Sequence, residues 1–217
     1  SYGPYKKYSN FVRGDELLKI ELPKISTGCS QFDGIIGGGF SRGTITEIYG
    51  ESGSGKTQIC LSTSVNNWTN GVAYICTEDA FPMTRFLQIT SALPDYDPTV
   101  KYGKNIFVEH ITEQANLISC VKVRLPKLMK LHRPTLIVVD SIAAPYRSEG
   151  TDYVNRAQHL REVAVALIEI AKEFNAAVIY NESLLCTILT QLFLHIHNSF
   201  RTDTMVPHLN KYSSRNE

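Results

Sequence analysis

The residues best suited to chemistry lie in one short loop, whose sequence is Gly50-Glu51-Ser52-Gly53-Ser54-Gly55-Lys56-Thr57. The loop fits the pattern G-x-x-x-x-G-K-[ST] at every fixed position. Its glycines allow backbone N–H groups to point inward at phosphate oxygens, and a helix beginning near Lys56 would add its positive dipole end. Lys56 would supply a cation to the β- and γ-phosphates, and the Thr57 hydroxyl would ligate magnesium. We therefore predict that this loop binds ATP with Mg²⁺.

A glycine-rich turn before a helix can also arise by chance. With typical residue usage, the full pattern should occur by accident in well under roughly 1% of chains of this length. A β-branched run over residues 44–49 predicts a strand before the loop, and residues 56–67 are typical of a helix after it. This context favours the phosphate-binding interpretation and assigns the chain to the P-loop class of nucleotide-binding proteins.

Two further positions carry carboxylates at the ends of predicted strands. Asp140 follows the apolar run Leu136-Ile137-Val138-Val139, where a carboxylate can bind magnesium through water. Glu78 follows the strand over residues 72–76, where a carboxylate can orient or deprotonate an attacking water. Ligands of open parallel sheets bind beyond the carboxyl ends of the strands, so both carboxylates can converge on the loop. Asp79 is adjacent to Glu78, and position alone does not choose between them.

The elements that must position these residues alternate along the chain. Strands are predicted over residues 44–49, 72–76, 106–111, 136–140 and 176–180, and helices over 56–67, from Pro82 through Ile89, 114–131 and 160–174. Pro126 should kink or split the third of these helices. Strands that are apolar throughout and alternate with helices predict an α/β fold, with a mostly parallel sheet covered by helices on both faces.

Bulk composition sets limits on the kind of protein. The 217 residues suffice for one α/β domain with short extensions, and the net charge of +1 gives no overall field towards nucleic acid or membrane. No stretch reaches ~18 apolar residues, so we expect no membrane span. The first residue is Ser1, not Met, and we therefore expect a fragment or a processed product. The five cysteines are far apart without zinc-ligand or redox spacing, which indicates a reducing compartment, cytosol or nucleus.

One basic run has two interpretations. Its members lie between Glu113 and Asp140 with no acid among them, and they are Lys122, Arg124, Lys127, Lys130 and Arg133. Such runs usually form a solvated helix face, and a surface that contacts DNA or a partner is the alternative. The solvated face is favoured because no aromatic residue interleaves to stack on bases.

Several of these segments together resemble the RecA-like recombinase family. They are Thr27-Gly28-Cys29 through Gly37-Gly38-Gly39-Phe40, the phosphate-binding loop, Thr77-Glu78-Asp79 and Val139-Asp140-Ser141. Three longer segments, 77–82, 106–110 and 143–147, are similar to the eukaryotic recombinase paralogues within that family. The resemblance covers about residues 25–180. It implies a RecA-like P-loop fold and an ATP-binding nuclear protein of homologous-recombination repair, which works with another recombinase paralogue.

The resemblance also implies roles for individual residues. Glu78 matches the family's catalytic glutamate, which acts beside Lys56 of the loop. Arg85 matches an arginine that lies near the nucleotide base. Arg147 and Arg156 fall where the family's first DNA-facing loop begins, so they are candidate phosphate contacts to single-stranded or branched DNA. Solvated loop arginines are the equally weighted alternative.

The resemblance weakens after Ile179. The family has an Asn-Gln pair that senses the γ-phosphate, whereas this chain has Asn181 followed by Glu182. The final core strands and the second DNA loop have no counterpart, so the strand before the phosphate-binding loop should lie at a sheet edge, beside the strand over 176–180. We expect an extension or linker over residues 1–24, an ATP-binding core over 25–180, and a divergent, loosely packed tail over 181–217.

Three functions fit these observations. The first is a recombinase paralogue with weak DNA-dependent ATPase activity. The second is an interaction subunit of a paralogue complex in which ATP is a structural ligand, which the missing glutamine favours. The third, a small-molecule P-loop kinase, is disfavoured because no acceptor site or lid is recognisable. The expected location is the nucleus, with a cytoplasmic pool as the alternative.

Overall fold

The computed structural model describes residues 22–146 and 153–183. Seven strands are present in these ranges: β1 (Lys24–Ile25), β2 (Phe40–Ser41), β3 (Ile45–Gly50), β4 (Val72–Cys76), β5 (Ile106–His110), β6 (Leu136–Asp140) and β7 (Ala177–Ser183). The α-helices of the same ranges are α1 (Ser30–Ile35), α2 (Lys56–Asn66), α3 (Met83–Ser91), α4 (Gln114–Ser119), α5 (Leu125–His132) and α6 (Tyr153–Phe174). Short 3₁₀ turns occur at Trp68–Asn70 and Ala144–Tyr146, and a π-helical turn at Cys120–Arg124.

A five-stranded parallel sheet organises the described residues. Its order is β3-β7-β6-β4-β5, so β7 lies beside β3 and β3 is an outer strand of the described sheet, both as predicted, and β6 is the other neighbour of β7. Gly50 at the end of β3 pairs with Ser183, and Cys76 at the end of β4 pairs with Asp140. The carboxyl ends of β3, β4 and β6 therefore lie along one edge of the sheet, as ligand sites of open α/β sheets require.

Helices cover both faces of the sheet, which confirms the predicted α/β fold class. Alternate residues of a strand point to opposite faces, so Ile137 and Val139 of β6 belong to a different core from Leu136 and Val138. The first core contains buried side chains of α4, α5 and α6, and the second contains Cys60 of α2. Each fully buried aliphatic side chain contributes about 1.5–3 kcal/mol through removal from water, so both layers hold the sheet rigidly.

Element boundaries differ from the predictions where apolar periodicity is weak. Helix α6 begins at Tyr153 rather than at residue 160, because residues 155–159 are mostly polar and give no apolar stripe. Strand β7 continues to Ser183, beyond the expected core boundary at residue 180. The helix predicted over 114–131 is divided as expected, and a π-helical turn precedes Pro126, which lies in the first turn of α5. A wider turn fits a proline, which lacks an N–H and crowds the preceding carbonyl.

Three of the five cysteines lie in the core. Cys60, Cys76 and Cys120 are buried and reduced, and Cys29 is exposed and reduced. Cys186 falls outside the described ranges. Among the described residues, no helix is both long and apolar enough to cross a membrane.

The segment from β1 to β2 contacts the C-terminal end of α2. Asn67, which follows α2, donates from Nδ2 to the Ser26 carbonyl at 2.8 Å. Asp33 accepts hydrogen bonds from the Ser26 hydroxyl at 2.6 Å and from the Thr27 amide at 2.9 Å. Burial alone would raise the pKa of Asp33, but these hydrogen bonds outweigh it and lower that pKa. The carboxylate therefore fixes the segment on which the end of α2 rests.

Gly39 should be indispensable for this region. Its φ is +115°, and a Cβ at this position would overlap the backbone carbonyl of Ile25. We expect Gly39→Ala to lower the free energy of unfolding by about 2 kcal/mol or more, because both the backbone conformation and the contact become strained. Gly34→Ala is the matched control: it lies in α1 with open space around the added methyl group, and should raise stability by up to about 1 kcal/mol. Urea unfolding measures both, and equal effects would contradict the proposed strain.

Glu47 on β3 should make stability depend on pH. Burial raises the pKa of Glu47, an effect that a hydrogen bond with Tyr180 partly offsets. A raised folded-state pKa contributes stability that is full below the ordinary value and is lost as pH rises through the folded value. We therefore expect Glu47→Gln to raise the free energy of unfolding relative to the original chain at pH 8, and to do so less at pH 4.

An exposed glutamate provides the control for Glu47→Gln. Glu173→Gln on α6 removes the same charge at an exposed position, and its effect on stability should differ less between the two pH values than that of Glu47→Gln. Urea unfolding at pH 4 and pH 8 provides the measurement. A Glu47→Gln effect that is the same at both pH values would refute the burial effect.

Candidate nucleotide site

The loop between β3 and α2 has the backbone shape that the motif predicts. Gly53 and Gly55 have φ values of +79° and +96°, a left-handed region that glycine adopts without strain. A Cβ built at either residue meets nothing within 4 Å, so both glycines border open space. The Ser54 amide donates to the Glu51 carbonyl at 3.2 Å and turns the chain back towards α2. The result is a concave backbone surface at the start of a helix.

Helix α2 presents free donors to that surface. The first N–H groups of any α-helix have no partner within the helix. Gly55, at the N-cap of α2, makes no side-chain capping hydrogen bond. The eleven residues of α2 also place the positive end of its dipole at the loop. These donors suit a phosphate anion, so the loop fits the predicted ligand class.

Lys56 lies across the same loop. Its Nζ donates to the carbonyl oxygens of Gly50 and Glu51, both at 2.8 Å. Thr57 follows in the first turn of α2 with an exposed side chain. The ammonium group is thus held above the loop by acceptors that an arriving phosphate could replace, and the Thr57 hydroxyl is open to solvent.

Asp140 is held by side chains from the strands on each side of β6. Tyr74 of β4 donates its hydroxyl to Asp140 Oδ2 at 2.8 Å, and Asn181 of β7 donates Nδ2 to Asp140 Oδ1. Thr77 closes the strand end, since its amide donates to the Asp140 carbonyl at 2.9 Å and its hydroxyl accepts from the Ser141 amide at 2.8 Å. The carboxylate therefore has a defined orientation at the edge where β3 enters the loop.

The groups behind Asp140 are buried and neutral. Burial, then the nearby Cys60 and Asp140, raises the pKa of Tyr74 well above its ordinary value. Burial and the charge of Asp140 raise the pKa of Cys76 to about 12. Asp140 consequently lies among protonated hydroxyl and thiol groups at neutral pH, and these thiols are not nucleophiles.

Glu78 and Asp79 follow Thr77 just after the end of β4, and both are exposed. Because Cys76 pairs with Asp140, the two carboxylates lie on the segment beside the end of β6. Both acidic residues are therefore exposed at the ligand edge of the sheet, and exposure alone does not choose between them. The assignment of Glu78 as the catalytic residue stays a prediction.

Arg85 is brought to the phosphate-binding helix. It lies on α3 and donates from Nε to Gln58 Oε1 at 2.7 Å, and from Nη1 to Gln88 Oε1 at 2.9 Å. Gln58 directly follows Thr57 on α2. The guanidinium group is thus anchored beside the loop, although its predicted contact with a base stays a prediction.

The other basic residues divide into two groups. Arg147 lies outside the described residues, and Arg156 is a half-buried residue near the beginning of α6.

In the basic run, Lys122 pairs with Glu162 at 2.6 Å, and Arg124 binds Glu109 at 2.7 Å between Nε and Oε1. Two of the run's five charges are therefore used within the chain, which favours the solvated-face interpretation.

Two residues of the site carry no motif signal. Tyr74 lies within the apolar run of β4, and Gln58 is one residue beyond the last fixed position of the loop pattern. Alternate residues of a strand share a face, so Tyr74 lies on the same face of β4 as Cys76, and Cys76 pairs with Asp140. The register of β4 against β6 therefore indicates the Tyr74–Asp140 contact. Within the described ranges, no group of three or more His, Cys, Asp or Glu residues could hold a metal ion.

Comparison with known proteins identifies the family. A model of the Rad51 family matches residues 18–199. The chain is 32% identical to the DNA repair protein XRCC3 of Bos taurus over 187 residues, which cover 75% of this chain and 55% of the relative. It is 34% identical to the meiotic recombination protein DMC1 homolog of Arabidopsis thaliana over 178 residues, which cover 76% and 50%. It is 35% identical to the DNA repair and recombination protein RadA of Aeropyrum pernix over 176 residues, which cover 75% and 54%.

The matched segment includes the whole candidate site. It contains the loop at residues 50–57, Glu78, Arg85 and Asp140, and it extends on both sides of the 25–180 range that the motifs indicated. The chain spans about half the length of the curated relatives it matches. The α/β sheet, the phosphate-binding loop and these matches agree, and the chain belongs to the Rad51 family of RecA-like recombinases.

Proposed function

We propose that this chain binds Mg-ATP as a recombinase paralogue in homologous-recombination DNA repair. The observation that carries the proposal is the position of Lys56 over a loop of free helix donors, with Asp140 oriented at the same edge of the sheet. The names of the relatives add support, since they are DNA repair and recombination proteins.

Each residue of the loop has a proposed role in nucleotide binding. The backbone N–H groups of residues 50–57 bind phosphate oxygens, and Lys56 exchanges its two carbonyl acceptors for phosphate oxygens. Thr57 ligates Mg²⁺, and Asp140 binds it through water. Arg85, anchored by Gln58, lies near the base. Bound ATP supplies a phosphoryl group whose transfer to water is the chemistry available at this site.

Whether that chemistry proceeds depends on Glu78. An exposed carboxylate at this strand end can orient a water and accept its proton, and a chain that uses it in this way would be a weak DNA-dependent ATPase. The alternative, an interaction subunit with ATP as a structural ligand, is supported by Glu182. That residue occupies the position of the family's glutamine. It is only 2% exposed, so its side chain is poorly placed to contact a phosphate on the solvent side of the strand.

The proposal extends to partners and location. We propose assembly with another recombinase paralogue, contact with single-stranded or branched DNA through Arg147 and Arg156, and a nuclear location. Chain order supports Arg156, since it lies near the start of α6, the helix that follows β6 along the chain. The absence of a net basic field means that DNA contact would be local.

Removal of the Lys56 ammonium group tests nucleotide binding. At roughly 100 times its dissociation constant, Mg-ATP should stabilise the chain by about 2.7 kcal/mol, which raises Tm by about 5–11 °C. Lys56→Ala should abolish most of that increase in Tm, because the variant loses the only basic side chain of residues 50–57. Thermal unfolding of the 217-residue chain with and without Mg-ATP is the measurement.

A matched control separates this effect from a general loss of charge. Lys104→Ala removes an exposed lysine just before β5, at the opposite edge of the sheet, and should leave the ATP-induced increase intact. No increase in the original chain, or an equal increase in Lys56→Ala, would contradict nucleotide binding at this loop.

Turnover with Glu78→Gln distinguishes the ATPase from the interaction subunit. For an ATPase stimulated by single-stranded DNA, this change should lower kcat by about 10²–10⁴-fold, because the water loses its base. ATP-induced thermal stabilisation should remain within error. Phosphate release is followed with and without single-stranded DNA, and Asp79→Asn is the matched control. If the original chain releases phosphate no faster than Lys56→Ala, the interaction-subunit function is the correct one.

A further inference from the structure

The carboxylate of Asp140 receives a hydrogen bond on each of its two oxygens. Tyr74 of β4 donates to Oδ2 at 2.8 Å, and Asn181 of β7 donates to Oδ1. In the sheet, β4 and β7 are the two neighbours of β6. The carboxylate is therefore oriented from both flanks, and its torsion cannot change without breaking at least one of these bonds.

The tyrosine is itself held in one position. Its side chain is fully buried in the core between the sheet and α2. The ring of Phe81 packs edge-on against it, with centroids 5.1 Å apart and an interplanar angle of 86°. Phe81 also contacts Phe86 of α3 at 5.6 Å. A fully buried ring with this edge-on contact has little freedom to rotate, so its hydroxyl meets Asp140 in one geometry.

We infer that Tyr74 is a positioning residue for Mg²⁺, which acts by orienting the Asp140 carboxylate towards the metal. The inference rests on the proposed binding of Mg-ATP at the loop of residues 50–57. Tyr74 does not contact the nucleotide, because its hydroxyl is already engaged with Asp140 and its ring lies in the core. Groups that orient a metal-binding carboxylate in this way typically affect metal affinity by about 10–100-fold.

The conservative variant Tyr74→Phe removes the hydroxyl and keeps the ring. The probe is the fluorescent nucleotide mant-ATP, titrated into the full 217-residue chain at a series of Mg²⁺ concentrations and in EDTA. We expect the Mg²⁺ concentration that gives half of the metal-dependent gain in affinity to rise by about 10-fold or more. Affinity in EDTA should change by less than about 2-fold, because Asp140 acts on the nucleotide only through the metal.

Tyr180→Phe is the matched control. Tyr180 is an equally buried tyrosine on β7, the other strand beside β6, but it belongs to the core on the other face of the sheet, beside Glu47. Its loss should lower stability without moving the Mg²⁺ midpoint. A purely structural effect of losing a buried hydroxyl would appear in both variants, so this comparison isolates the metal-linked effect.

A double-mutant cycle tests whether Tyr74 acts through Asp140. In the Asp140→Asn background, Tyr74→Phe should produce no further shift of the Mg²⁺ midpoint. If Tyr74→Phe fails to fold, Phe81→Leu replaces it: this change loosens the tyrosine ring while keeping its hydroxyl, and should give a smaller shift in the same direction.

The outcomes separate the two proposals. If the original chain gains affinity with Mg²⁺ but Tyr74→Phe leaves the midpoint unchanged, the positioning role is overturned and the proposed function stands. A Tyr74→Phe shift that persists in the Asp140→Asn background also overturns it. If mant-ATP does not bind the original chain with Mg²⁺, both proposals are overturned.

Discussion

Parallel pairing of β7 with both β3 and β6 is the constraint on which the site depends. Its register sets Gly50 opposite Ser183 and Val139 opposite Tyr180, so the phosphate-binding loop and Asp140 leave the sheet at the same edge. A slip by one residue would turn every β7 side chain to the other face and remove Asn181 from Asp140. The register of β7 therefore sets the contact that orients Asp140 as well as the packing of both cores.

The features that sequence could predict are those written in short, contiguous segments. The phosphate-binding loop follows from eight consecutive residues, and the apolar runs before Asp140 and Glu78 indicate buried strands directly. The place of β7 beside β3 came from the resemblance to the recombinase family rather than from periodicity. The structure confirms this position, because members of one fold family share the order of their strands.

What sequence did not predict depends on contacts between distant residues or on weak patterns. The Tyr74–Asp140 hydrogen bond joins residues on different strands, and it requires the register of β4 against β6. The early turns of α6 are polar and carry no periodic signal. The π-helical turn lies just before Pro126, whose missing N–H interrupts the helical hydrogen bonds. Residue types alone do not indicate where along the helix such a turn forms.

The two hydrogen bonds from Lys56 to its own loop add a free-energy cost for any ligand that displaces them. Both acceptors are carbonyls at 2.8 Å, and bonds of this charge-assisted kind are worth about 1.5–3 kcal/mol each. An ammonium group has three N–H donors, so an anion that takes more than the remaining donor must displace a carbonyl. We expect that loss to be offset best by a ligand that places several anionic oxygens near Lys56 and the first amides of α2 at once. An anion with few oxygens gains less from the same exchange, so the resting contacts of Lys56 favour extended polyanions.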